Sequence, residues 1–239
     1  AYQNTSSPVI LYVDTLAAAI VSTGTNSGSF EWCITRNFPR IILFKVGGTI
    51  DYRGKKDQLS INQSYCSIYG QTAPYPGIIL YGTDLSVSRT THDVILQHLK
   101  IRPGDQGGYG DLQIRDCFSI YGYNVIIDHC SLSWSPDELL AITNNTTHHI
   151  TISNCLLSHP LQYNNSGGAD GYGPYLMADS CVSFVKNVIA YARDRSPRVQ
   201  TEKFVYINNY SLVDNFFPGP RIYDPRSADV LHHVYLRSI

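Results

Sequence analysis

The stretch "RDRSPRV", residues 193–199, brings Arg193, Arg195 and Arg198 close together, with only Asp194 to offset them. Charged residues make up just 15% of the chain, so three cations in one short turn stand out. A guanidinium is a planar fork of donors that matches a carboxylate, and it keeps its proton at any ordinary pH. Two uses are open on the residues alone. The cluster can clamp an anionic ligand, or it can bind carboxylates and carbonyls of the protein's own loops. Pro197 restricts the backbone, so Arg195 and Arg198 project from a constrained turn. His129 is a lone histidine without metal-ligand spacing and reads as structural.

Residues so placed need a scaffold, and the chain repeats itself loosely enough to supply one. The runs "DVILQHL" (93–99), "NVIIDHCSL" (124–132), "ITISNCLL" (150–157), "VSFVKNVI" (182–189) and "FVYINNYSL" (204–212) are each β-branched or aromatic and end in a polar turn residue. Aligned, His98, His129, Asn154, Asn187 and Asn209 fall in one column, with Gly70 of "CSIYGQT" ahead of them. Strands recurring at this interval read as coils of a solenoid, and hairpin dipeptides between them are few. The predicted fold is therefore all-β: a right-handed, single-stranded parallel β-helix. "SFEWCITRNFP" (29–39) has Phe30, Cys33 and Ile34 at helical spacing behind Ser29, which predicts a short N-terminal capping helix. The expected organisation is a single domain over 1–239, with a cap over 1–41 and the β-helix over 42–239. Cys130 and Cys155 follow the turn column and are expected to stack inward, as a thiol pair or a disulfide.

Bulk properties narrow the function. The chain has 239 residues, 43% hydrophobic, with a formal net charge of -1. That balance gives no global field for nucleic acid or an anionic membrane. No apolar run is long enough for a membrane span. The chain starts at Ala1 rather than Met and reads as processed or trimmed. Asn-x-Ser/Thr acceptor sites at Asn4, Asn62, Asn144, Asn145, Asn164 and Asn209 point to a secreted, extracellular glycoprotein. Glycans are expected on at least two of Asn4, Asn62, Asn145 and Asn164, while Asn209 is expected to be bare because the turn column buries it.

In order along residues 27 to 200, "FKVGGTI", "IYGQTAP", "LQHLKIRPGD", "DCFSI", "VIIDHCSLSWSPDE" and "RSPRV" resemble the pectate lyase family. The block "IDHCSLSWSPDE" is the most specific of these. The resemblance implies a parallel β-helix that cleaves a uronate-containing, anionic polysaccharide by calcium-dependent β-elimination. It implies that Arg195 is the base, that Asp116, Asp137 and the adjacent Glu138 hold Ca²⁺, and that Asp111 is a further acid nearby. Arg198, Arg193 and Tyr172 then bind substrate, with Tyr163 and Tyr175 as further candidates to line subsites. Two positions depart from the family pattern. Ala141 stands where another acidic ligand is common, and residues 158–176 lack the usual substrate-binding lysine. The family's longer chains also lead one to expect further coils, or a partner, at the C-terminal end. Two other readings remain open: a catalytically inactive, glycosylated β-helix that self-associates through its ends as an extracellular filament, and a phage tailspike depolymerase.

Overall fold

The computed structural model describes residues 7–19, 26–55, 58–105, 116–162, 171–213, 221–222 and 229–236. Short runs of alternating apolar and polar residues become strands, because successive side chains in a strand point to opposite faces. Arg40–Phe44 shows the pattern, with positions 40, 42 and 44 buried and the two between them partly exposed. The strand pairings among the described residues are parallel, and each strand pairs with its counterpart one coil away rather than with its neighbour in sequence.

Three sheet faces result. The first stacks Val9–Val13, Arg40–Phe44, Cys66–Tyr69, His92–Gln97 and Tyr123–Asp128, then the later halves of Ala141–Ser153 and Tyr175–Val185. The second stacks Gly48–Asp51, Ile78–Tyr81, Leu99–Arg102, Ser131–Ser133, Leu156–Ser158 and Val188–Ala192. The third stacks Leu59–Ile61, Leu85–Val87, Phe118–Ile120, the earlier halves of the two long strands, and Arg198–Gln200. This is a parallel β-helix, wound with the right hand that parallel crossovers adopt. Val9–Val13 pairs with Arg40–Phe44, so the coil stack already begins ahead of residue 42.

The interior is a set of like-on-like columns. Ile42, Ile68, Leu96, Ile127, Ile152, Phe184 and Tyr206 follow one another through seven coils of the first face and are all buried. Burying an aliphatic side chain of this size contributes about 1.5–3 kcal/mol. Phe30–Ile34 forms the predicted capping helix, and the Ser29 hydroxyl accepts from the Trp32 amide at 3.2 Å. Arg40, fully buried, donates to the Cys33 and Ile34 carbonyls at the end of this helix and to those of Gln63 and Ser64. The cap is thus tied to the first coils by one guanidinium. No helix among the described residues is long and apolar enough to cross a membrane.

The turn between the first and second faces corrects the expected column. His98, His129, Asn154, Lys186 and Asn208 are stacked, each in the left-handed region with φ between 52° and 55°. The His98 and His129 rings stack at 4.8 Å. Asn187 and Asn209 are not in this column. They sit one residue on, buried, in the next column with Cys130 and Cys155. Gly70 stands in register with His98 ahead of the left-handed column but is itself outside the left-handed region, and a Cβ there would lie 2.5 Å from the His98 carbonyl oxygen. Asn187 Oδ1 accepts from the Cys155 amide and Asn209 Oδ1 from the Asn187 amide, while their side-chain amides donate to the Ile152 and Phe184 carbonyls. Cys130 and Cys155 are buried free thiols.

Candidate active site

The loops from the second face to the third carry the candidate site. Four of their turns lie in register in successive coils. The Cys117 amide donates to the Glu138 carbonyl, Leu139 to Tyr172, and Gly173 to Asp194. Glu138, Tyr172 and Asp194 are joined by isolated parallel bridges. Parallel coils lie ~4.8 Å apart, so Arg195 starts two coils from Glu138. Its guanidinium spans that distance. It crosses the Tyr172 ring at 3.9 Å from the centroid and forms an ion pair with the Glu138 carboxylate. Gly173 lets the Arg195 backbone pack closely on the neighbouring coil, because a Cβ there would lie 2.0 Å from the Arg195 carbonyl oxygen.

Asp116 completes the acidic side. One of its oxygens accepts from the Ser119 hydroxyl at 2.8 Å and the other from the Glu138 amide at 3.3 Å. The Ser135 hydroxyl donates to the Glu138 carbonyl at 2.6 Å and closes the "SPDE" turn. Asp116, Asp137 and Glu138 each offer an oxygen, and these oxygens lie within 4.8 Å of one another. Three carboxylates converging from the turns of two successive coils are costly unless cations meet them. Burial pushes the Asp116 carboxyl up to about 6, against the lowering effects of Ser119 and Arg195. An all-oxygen donor set of this kind suits a hard divalent cation.

Arg195 feels opposed influences. Burial lowers its pKa, Asp137 and Asp116 raise it, and the like charge of Arg198 lowers it again. Arg198 begins the third-face strand beside Tyr175, with its guanidinium 5.2 Å from that ring's centroid. Tyr175 is also 5.2 Å from Arg195 and donates to Gln200 at 2.8 Å.

The structure therefore gathers Arg195, Glu138, Asp137, Asp116, Tyr172, Tyr175 and Arg198. Arg193 is tied in through its backbone amide, which donates to the Gly171 carbonyl. The Asp194 carboxylate accepts from the Arg195 backbone amide at 2.7 Å and fixes the turn. Asp128 is a structural knot, accepting from Gln97, Ser153 and Asn154. Ser119, Ser135 and Gly173 were not flagged by sequence; the closely spaced glycines of "GYG" (171–173) were the available signal. Asp111, Tyr163, Asn4 and Asn164 lie outside the described residues. Of the other acceptor sites, Asn62 and Asn145 are exposed, while Asn144 and Asn209 are buried.

A parallel β-helix with an acid-and-arginine cluster on its loop side is the class defined here, and comparisons narrow it. The chain is 33% identical over 162 residues to probable pectate lyase C of Aspergillus flavus and to that of Aspergillus oryzae. The same identity holds for probable pectate lyase C of Emericella nidulans. Each match covers 67% of this chain and 35% of the relative. Over that segment the chain belongs to the pectate lyase family. No family model matches it. The crystal structure of Jun a 1, the major allergen from cedar pollen, shares the fold, with a TM-score of 0.57 at 20% identity over 86% of this chain and 59% of the allergen.

Proposed function

We propose that the protein is a secreted lyase that cleaves an anionic, uronate-containing polysaccharide by calcium-dependent β-elimination. The observation that carries this reading is the convergence of Arg195 on Asp116, Asp137 and Glu138 across successive coils. Elimination breaks the C–H bond alpha to a uronate carboxylate. The electron pair forms the new C=C bond, the β C–O bond breaks, and the leaving oxygen takes a proton from water. The alpha proton is barely acidic while the carboxylate carries its charge. Ca²⁺ held by Asp116, Asp137 and Glu138 would neutralise that carboxylate and stabilise the enolate-like state.

Arg195 is the proposed base. A guanidinium holds its own proton at ordinary pH, so Arg195 must first lose that proton to solvent and then, as the neutral guanidine, take the alpha proton. Burial and Arg198 both move Arg195 in the required direction. Tyr172 lies under the guanidinium and offers it a ring face on which to rest. Arg198, beside Tyr175, would fork onto a neighbouring uronate, with Arg193 as a further substrate contact.

The test is incubation with polygalacturonate, following the ultraviolet band of the unsaturated uronate. The band should grow with Ca²⁺ and stop with chelator; growth unaffected by chelator, or no band under any condition, would remove this reading.

A further inference from the structure

Glu138 has two claims on one carboxylate. It belongs to the three-acid group whose oxygens lie within 4.8 Å, and it is also ion-paired with Arg195. Its backbone is fixed on both sides, since its amide donates to Asp116 and its carbonyl accepts from Ser135 and from Cys117. The carboxylate therefore has little freedom to serve two cations in different places. Arg195 has more freedom. Its anchor lies two coils away, and the Tyr172 face, with Tyr175 beyond it, gives the guanidinium a surface on which to rest without Glu138.

We propose that Glu138 is a positioning residue that exchanges partners: it holds Arg195 while the acid group is empty, and gives it up when a divalent cation binds. Arg195 and the cation then compete directly for the Glu138 carboxylate, on top of the charge that Arg195 shares with Asp137 and Asp116, and Arg195 is withheld from substrate until the acid group is filled. This rests on the lyase reading for its purpose, but the competition itself is a binding property of the chain.

The experiment is a double-mutant cycle on the intact protein. Ca²⁺ affinity is measured by calorimetry for the wild type, Arg195→Ala, Glu138→Gln and the double variant. Arg195→Ala should bind Ca²⁺ about tenfold more tightly than the wild type, and that gain should shrink several-fold in the Glu138→Gln background, leaving only the general charge effect on Asp137 and Asp116, the mark of two partners sharing one group. Arg198→Ala serves as the control, because its gain comes from general charge and should persist in both backgrounds. A gain for Arg195→Ala that is equal with and without Glu138 would overturn the exchange, as would no gain at all.

A second readout needs no change at Glu138. Ca²⁺ titration of the wild type should alter the near-ultraviolet circular dichroism of tyrosine as the guanidinium shifts over Tyr172, and Arg195→Ala should abolish the change. A spectrum unmoved at saturating Ca²⁺ would contradict the proposal. Elimination is a separate assay. A chain that shows the coupling without elimination keeps the exchange and loses the lyase reading, and the opposite result does the reverse.

Discussion

Burial pushes the Asp116 carboxyl up to about 6, so at neutral pH the folded chain holds this acid ionised against the cost of its surroundings. The sign for stability follows from proton linkage. The folded state binds the proton more tightly than the unfolded chain, so this group's contribution is fully present below the ordinary carboxylate value near 3.8 and is lost as pH rises through about 6. Asp116→Asn should therefore raise the melting temperature above pH 6 in the presence of chelator, and the difference should shrink toward pH 4. In the wild type, Ca²⁺ affinity should fall as pH drops below about 6, and Asp116→Asn should bind weakly throughout. A melting temperature no higher in the variant at pH 7 would mean that Asp116 is better satisfied than its burial indicates. At this scale the site's residue types were legible: "DCFSI", "SPDE" and "RSPRV" each delivered a member of the cluster. The pairing of Arg195 with Glu138 was not, because it depends on a side chain spanning two coils, and separation along the chain carries no trace of that.

The turn columns show what an element of this fold requires of its sequence. Asn187 satisfies the Cys155 amide and the Ile152 carbonyl with one buried side chain. Asn187→Ala would orphan both, at about 1–3 kcal/mol for each buried group left unpaired. Asn208 is exposed in the left-handed column at φ 53°, and Asn208→Ala should cost only about 1–2 kcal/mol of backbone strain. Thermal unfolding of the two variants should rank them in that order. Equal losses would imply that the buried amide ladder contributes little. The β-helix, its capping helix and the Ser29 cap could be read from strand recurrence and helical spacing. The column register could not be read by matching Asn to Asn. Counting by strand alternation gives it: Ile152 and Phe184 both point inward, and two residues on lie Asn154 and Lys186. A lysine in the left-handed region is uncommon, so its residue type gave no hint of its place.

At the scale of the whole molecule, exposure sorts the glycan acceptors. Asn62 and Asn145 are exposed, whereas the Asn144 side chain is buried and donates to the Tyr121 carbonyl at 2.9 Å. Expression in a eukaryotic secretory host should give sugar on Asn62 and Asn145 and none on Asn144 or Asn209, as read by peptide mass mapping. Sugar on Asn209 would require the buried ladder to open. The matched segment is 35% of the length of the curated relatives, so activity has to be established on this chain itself. The most direct measurement is the elimination rate on polygalacturonate with saturating Ca²⁺, comparing the wild type with Arg195→Lys. Lysine keeps the charge but not the forked geometry, and the turn fixed by Asp194 and Gly173 is untouched. The account predicts a fall in kcat of about 10²–10⁴-fold, the usual contribution of a positioned base, with the melting temperature little changed. An Arg195→Lys variant that eliminates at close to the wild-type rate would contradict it.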